Sequence, residues 1–203
     1  DEALDALYHS GALQHLFNFE LTDITAEKLL YRIAQNNTEI EINNHKTEVL
    51  LYDSIAVANI ALSTQYLCAV LTQFNHITYL INSRQYEASS ELIRMAYNSG
   101  KCEVIIIDQN LKFTEQISEI RQIISEKCPK TILLHMSNCD PVGCLAFQEI
   151  NGCEKFLVNH GDEQFWIGTN VADYVIEFRG MGLDTSVRHR GFKESQCLVN
   201  PDY

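Results

Sequence analysis

The sequence is poor in positive charge. Its 203 residues include 15 Lys and Arg against 27 Asp and Glu, which gives a formal net charge of −12 at pH 7. A protein that neutralises the phosphates of a nucleic acid needs a local excess of Lys and Arg. The composition therefore argues against a nucleic acid as a partner.

Two kinds of segment are also lacking. The longest apolar run, around residues 55–62, is interrupted by Asn59 and is far shorter than the roughly 20 residues that span a bilayer. The nine glycines form neither a G-x-G-x-x-G nor a Walker pattern, and there is no G-x-S-x-G elbow. These absences argue against a transmembrane helix, a dinucleotide bound in the Rossmann manner and an α/β-hydrolase.

The seven cysteines form no recognisable pattern. Their number is odd and no pair has C-x-x-C spacing. We interpret them as small buried side chains of a protein from a reducing compartment, which predicts a cytoplasmic location. Cys139, Cys144 and His135 are neighbours in sequence, but their spacing fits no common zinc site, so we predict no bound metal.

Residues 1–47 are predicted to form an N-terminal helical segment. Apolar side chains recur at steps of three and four between Leu4 and Phe17, and a second helix should begin after Asp23 or Thr25. Alternating polar and apolar residues then lead to a turn at 43–44. This pattern predicts a hairpin whose second strand belongs to the domain that follows.

Residues 48–203 repeat one unit, in which a short apolar run is followed by a polar break and an amphipathic segment. The runs are residues 49–52, 77–81, 104–107, 131–134, 155–158 and 174–178. The helices predicted between them are 57–74, 86–97, 114–127, 141–149 and 163–172. Runs that are apolar at consecutive positions are typical of parallel strands buried on both faces. We therefore predict an α/β fold with a doubly wound, Rossmann-like, mostly parallel sheet of about six strands.

Polar side chains follow each of these strands, at the sheet edge where such folds bind ligands. The richest group is the string Asn-His-Gly-Asp-Glu-Gln-Phe-Trp-Ile-Gly at residues 159–168. An imidazole such as that of His160 can take a proton from a hydroxyl near neutral pH. Asp162 would cap the following helix or orient His160. The alternative for Asp53, Asp108 and Asp140 is plain turn and cap chemistry.

This string resembles the Asn-His-Ala-Asp-His-x-Phe-Trp-Leu-Gly sequence in the N-terminal lobe of a group of bacterial GT-B glycosyltransferases, many from capsular or other surface-polysaccharide synthesis. The segment from Val171 through Arg179 to 188–192 is similar to the elements that precede their second lobe. The similarity covers about residues 131–192. It departs from the family pattern at Gly161 and Glu163, where Ala and His are usual.

The resemblance implies the acceptor-binding lobe of an enzyme that transfers a sugar from a nucleotide sugar to a saccharide or lipid-linked saccharide. The implied residues are His160 and Asp162 for catalysis and Asp140, Glu163, Arg179 and Arg190 for substrate binding. The nucleotide sugar would bind a C-terminal lobe outside this chain, so we expect no cofactor here and no activity from this lobe alone. The chain would work in the cytoplasm, with attachment to the inner face of the membrane as an alternative.

Two other functions remain open at this stage. One is a non-catalytic Rossmann-like binding module, and the other is one lobe of a non-hydrolysing sugar-nucleotide epimerase, which shares the two-lobed plan. The sequence of a further lobe would separate them. Assembly into a homo-oligomer is compatible with all three.

Overall fold

The computed structural model describes residues 1–17, 22, 24–56, 61–84, 90–162 and 164–200. Its helices are α1 (Glu2–Phe17), α2 (Ile24–Ala34), α3 (Ala61–Gln73), α4 (Ser90–Asn98), α5 (Phe113–Lys127), α6 (Pro141–Ala146) and α7 (Gly180–His189). Its strands are β1 (Ile40–Glu41), β2 (Thr47–Asp53), β3 (Ile77–Ile81), β4 (Cys102–Ile106), β5 (Pro129–His135), β6 (Ile150–Asn151), β7 (Glu154–Val158), β8 (Tyr174–Glu177) and β9 (Cys197–Val199). Among the helices of these ranges, none has the length and apolar character needed to cross a membrane.

Seven of the strands form one parallel sheet in the order β4-β3-β2-β5-β7-β8-β9. Numbered along the chain, this order is 3-2-1-4-5-6-7, and its first six positions match the Rossmann arrangement. The predicted α/β fold is therefore confirmed, and all six predicted strands belong to this sheet. The seventh strand, β9, was not predicted because it is a short edge strand with little buried surface.

Alternate residues of the central strand β2 divide between two cores, which explains why its sequence is apolar throughout. Leu50 and Tyr52 point to one core, which also contains Ile120 and Ile124 of α5. Val49 and Leu51 point to the other core, together with side chains of α3 and α4. Each such buried aliphatic side chain stabilises the fold by roughly 1.5–3 kcal/mol. The sheet is thus covered on both faces.

Helix α5 shows how local sequence sets an element. Ile117, Ile120 and Ile124 are spaced by three and four residues and form its buried face. The helix ends where Cys128 adopts a left-handed conformation and its N–H bonds to the Ile124 carbonyl. Pro129 then opens β5, and a proline cannot continue a helix. The prediction of a helix over residues 114–127 is confirmed.

The predicted hairpin before the sheet is wrong. Strand β1 pairs in parallel with β6, in a small separate two-stranded sheet. Strand β2 lies instead at the centre of the main sheet, between β3 and β5. Because β2 is buried on both faces, it gains more in the sheet centre than it could in an exposed hairpin. The predicted N-terminal helices are confirmed as α1 and α2, which both pack against α6.

The helix predicted over residues 163–172 is also wrong. Residue 163 lies outside the described residues, and residues 164–172 form no helix. The backbone N–H groups of this segment have other partners, since Ile167 donates to the carbonyl of Asn138 and Gly168 donates to the carboxylate of Glu27. Gly168 also has a φ of +90°, which ends any helical path. Asp162 therefore has no helix to cap.

Candidate functional site

The site lies between the ends of β2 and β5, where the strand order reverses. In open α/β sheets the crevice at this switch point is the usual place for a ligand. Asp53 ends β2, His135 ends β5, and the two are register partners. His160 follows the next strand, β7, by two residues. The topology thus brings a carboxylate and two imidazoles to one point of the sheet edge.

Asp53 and His135 form a buried pair, each with a side chain only 1% exposed. Asp53 Oδ1 lies 3.0 Å from His135 Nδ1 and accepts hydrogen bonds from the N–H groups of Ile55 and Ala56. Its Oδ2 accepts from the Tyr79 hydroxyl. Burial raises the pKa of Asp53, but the bonds and charge of His135, with the Ala56 and Tyr79 bonds, outweigh burial and hold this pKa below its ordinary value. Asp53 is therefore ionised at neutral pH.

The charge on Asp53 decides which nitrogen of His135 carries the proton. An ionised carboxylate can only accept hydrogen bonds, so His135 Nδ1 must donate. In the neutral ring, Nε2 then holds the free lone pair. This Nε2 is buried and has no hydrogen-bond partner among the described residues. An imidazole that a carboxylate orients in this way is the common arrangement of a general base.

His160 is the second imidazole of the site. Its ring stands edge-on to that of His135, with 5.6 Å between the centroids and 75° between the planes. Burial and the nearby charge of His135 lower the pKa of His160 to about 4, although the Val158 backbone and Asp53 act in the opposite direction. His160 is therefore neutral at pH 7. Its Nδ1 is buried and without a hydrogen-bond partner in the described part of the chain.

Both imidazoles line a cavity of about 510 Å³, which we call the histidine cavity. Ser137 and Asn138, from the loop after β5, form another part of its wall. Tyr8 of α1 also lines it. Its volume falls within the range of roughly 300–1,000 Å³ that is common for small-molecule sites. A ligand held here would lie against the two histidines.

The predicted catalytic residue Asp162 is placed differently from His160. It is buried, and its Oδ2 lies 2.9 Å from Nε of Arg179, whose side chain is 53% exposed. Because His160 Nδ1 has no partner in the described residues, the Asp162 carboxylate does not hold that nitrogen. The carboxylate that is paired with an imidazole of the site is that of Asp53, which lies beside His135. A catalytic role for Asp162 and substrate binding by Arg179 stay predictions.

Arg190 holds the loop after β7. Its Nη2 donates to the carbonyl groups of Gly161, Asp162 and Gln164, at 3.3, 3.0 and 2.7 Å. Its guanidinium lies 4.3 Å from the centre of the Trp166 ring, and the residue is 3% exposed. These contacts fix the backbone that carries His160. Substrate binding by Arg190 stays a prediction.

Two predicted substrate-binding residues remain. Asp140 caps α6: its Oδ1 accepts from the Gly143 N–H and its Oδ2 accepts from the Tyr52 hydroxyl, both at 2.8 Å. Burial raises the pKa of Asp140 above its ordinary value. The residue lines a second cavity, of about 330 Å³, at the same sheet edge. Glu163 lies outside the described residues.

The sequence alone marks Asp53 as a turn or cap residue and His135 as a neighbour of Cys139 and Cys144, and it assigns neither of them to the site. The signal that could have found them is the strand order, because only neighbouring strands bring their last residues together. Within the described ranges, no group of three His, Cys, Asp or Glu side chains is placed to hold a metal ion. Comparison of the chain with protein-family models, curated proteins and solved structures found no match.

Proposed function

We propose that this chain is the acceptor-binding lobe of a glycosyltransferase. The complete enzyme would transfer a sugar from a nucleotide sugar to a saccharide hydroxyl in capsular or other surface-polysaccharide synthesis. The observation that carries the proposal is the cluster of Asp53, His135 and His160 at the switch point, facing a cavity large enough for part of a saccharide. The string at residues 159–168 adds the resemblance in sequence.

The cluster suits the proton transfer that this reaction needs. The acceptor oxygen bonds to the anomeric carbon of the donor sugar, and the bond from that carbon to the diphosphate breaks. The proton of the acceptor hydroxyl passes to the imidazole pair. The nearby charge of His135 disfavours a proton on His160, and the ionised Asp53 lies beside His135 Nδ1, where it stabilises an imidazolium.

The donor sugar is assigned to a second lobe for two reasons. The turn after β2, at residues 53–56, contains no glycine and so offers no phosphate loop. Two of the cations that follow β8 are already paired within the chain, Arg179 with Asp162 and Arg188 with Asp184. The switch point therefore offers no prepared phosphate loop, and these two cations already have carboxylate partners.

The proposal can be tested with the full-length protein. It would be incubated with UDP-, GDP- and dTDP-linked sugars and a set of oligosaccharides, and the products would be weighed by mass spectrometry. We expect one donor to give an acceptor that is heavier by one sugar residue, with release of the nucleoside diphosphate. Conversion of the donor sugar without any acceptor would support the epimerase instead, and saccharide binding without transfer would support the binding module.

Two matched variants sharpen this test. Asp53→Asn keeps the shape of the side chain but removes the charge that orients His135, so transfer should fall sharply. Asp108→Asn makes the same change at an exposed residue that also follows a strand of the sheet. Equal loss of transfer in the two variants would contradict the assigned site.

A further inference from the structure

A second cavity of about 330 Å³ lies beside the histidine cavity. Its wall contains Asn82 after β3, Gln109 after β4 and Asp140 after β5. Tyr8, Ser137 and Cys139 line both cavities. We call this second space the amide cavity. Because the two cavities share a wall, a ligand in the amide cavity could extend one of its groups towards His135 and His160.

A chain of hydrogen bonds fixes the polar wall of the amide cavity. Gln109 Nε2 donates to Asn82 Oδ1 at 2.7 Å, and Asn82 Nδ2 donates to the Tyr52 hydroxyl at 3.1 Å. The Tyr52 hydroxyl donates in turn to Asp140. Burial raises the pKa of the Tyr52 phenol well above its ordinary value, so it remains a donor. The amides and the carboxylate are therefore held in place before any ligand arrives, which lowers the entropic cost of binding.

Aromatic rings form another part of the wall of the amide cavity. Tyr8 of α1 and Phe113 at the start of α5 lie with ring centroids 6.4 Å apart. Tyr8 is 37% exposed and so still offers ring surface to a ligand. Rigid amide and carboxylate groups together with an aromatic ring in one cavity match a pyranose, which has hydroxyls around its edge and an apolar C–H face.

Helix α1 is anchored firmly enough to hold Tyr8 in position. At its start, the Asp1 carboxylate accepts hydrogen bonds from the N–H and the hydroxyl of Thr114. One turn after Tyr8, Gly11 lies so close to the loop after β5 that an added Cβ would be 2.7 Å from Cys139 Sγ. Helix α1 thus forms a fixed part of the wall of the amide cavity.

Among the described residues that line the amide cavity, Arg84 is the one Lys or Arg, and Asp140 supplies a carboxylic group. The wall therefore has no cluster of cations to attract an anionic ligand. No glycine-rich turn faces the cavity to bind a phosphate. We infer that the amide cavity is the subsite for one uncharged pyranose unit of the acceptor, with Tyr8 under its apolar face and Asn82, Gln109 and Asp140 at its hydroxyls. This inference rests on the proposed function, because it names the ligand of the same lobe.

The binding test uses neutral methyl pyranosides of glucose, galactose, mannose, N-acetylglucosamine and rhamnose. Methyl glucuronide and uridine monophosphate serve as charged comparisons, and saturation-transfer NMR reports binding. We expect at least one neutral glycoside to bind, and Tyr8→Ala and Gln109→Ala to weaken it roughly five- to tenfold. Tyr97→Ala and Gln122→Ala are matched controls at exposed positions away from the cavity and should bind like wild type.

Several results would overturn the subsite: no neutral glycoside binds, the nucleotide or the glucuronide binds better, or the cavity variants and controls bind alike. The transfer assay separates this failure from failure of the proposed function. We expect Gln109→Ala to raise the acceptor KM with little change in kcat, whereas Asp53→Asn should lower kcat. Normal transfer with an unchanged KM in Gln109→Ala would overturn the subsite and leave the function standing. Glycoside binding that depends on Tyr8, without any transfer, would support the subsite and overturn the function.

Discussion

At the scale of single residues, the ionised carboxylate of Asp53 and the neutral imidazole of His160 differ in their surroundings. Asp53 receives four hydrogen bonds and stays ionised, despite being buried. His160 is buried beside another imidazole and stays neutral. A base with a pKa of about 4 is weak at neutral pH, so His135, which Asp53 orients, is the stronger candidate for accepting the proton.

The depressed pKa of His160 predicts a stability that depends on pH. Its pKa is about 4 in the folded protein against an ordinary value of 6.5, so between these values the unfolded chain binds a proton that the folded protein does not. Stability should therefore fall as the pH drops from 6.5 to 4, by about 2 kcal/mol at pH 5 from this residue. Urea unfolding at pH 7 and pH 5 should show that His160→Gln loses about 2 kcal/mol less than wild type over this interval.

The control for this prediction is His45→Gln, which changes an exposed histidine. It should follow the pH dependence of the wild type. If His160→Gln instead loses as much stability as wild type between pH 7 and pH 5, the imidazole is not held neutral by its surroundings.

Arg190 leads to a second prediction at this scale. A lysine in its place has no planar group to lie on Trp166, and its shorter side chain does not carry a nitrogen to the position of Nη2 beside the three carbonyl groups. Arg190→Lys should therefore lower the free energy of unfolding by about 2–3 kcal/mol. Arg188→Lys is the matched control two residues earlier, because Arg188 forms an exposed pair with Asp184 and should cost under about 0.5 kcal/mol. Similar losses of unfolding free energy for the two variants, measured by chemical denaturation, would contradict the role of Arg190 in holding the loop after β7.

At the scale of elements, the small sheet of β1 and β6 depends on a close approach of two backbones. Gly152, just after β6, has a φ of +78°, and a Cβ there would lie 2.1 Å from the carbonyl oxygen of Ile42. Gly152→Ala must push these strands apart and should cost about 3 kcal/mol or more. Gly100→Ala has a similar φ of +67° with open space around it, so it should cost only about 1–2 kcal/mol.

Thermal unfolding of the two glycine variants gives a direct comparison. The larger fall in melting temperature should belong to Gly152→Ala. Equal falls in melting temperature would contradict this prediction. They would mean that the positive φ alone sets the cost and that the Ile42 carbonyl moves away from the added methyl group without further cost.

The elements also show how far sequence predicts this fold. Strands such as β3 and β5 were found because consecutive apolar residues need burial on both faces, a requirement that lies within the segment itself. The prediction of a hairpin before β2 was wrong because the alternation of polar and apolar residues in a short segment does not determine which strand that segment pairs with. The prediction of a helix over residues 163–172 was wrong because Asn138 and Glu27, which are distant in sequence, accept hydrogen bonds from backbone N–H groups of this segment.

The same reason limited the prediction of the site. His160 could be singled out from its local string, and the structure brings it to the sheet edge. The pairing of Asp53 with His135 depends on β2 and β5 being neighbours, although they are separated by two other strands in the sequence. That information arises from the crossovers of the whole sheet and is not contained in either strand.

At the scale of the whole molecule, the negative net charge and the sheet topology both favour an uncharged ligand at the switch point. The net charge is −12, and Arg179 and Arg188 are each paired with an aspartate. The switch point offers polar side chains, two imidazoles and two adjoining cavities that α1 lines in part. These features suit an uncharged, hydroxyl-rich ligand.

The central claim is that the imidazole pair at the switch point takes the proton of the acceptor hydroxyl. The most direct test is kcat for sugar transfer by the full-length protein carrying His135→Asn, with His45→Asn as the control. We predict that His135→Asn lowers kcat by at least about 100-fold, while the control keeps wild-type activity. A kcat for His135→Asn within a few-fold of wild type, in a protein that is normally folded, would contradict the claim.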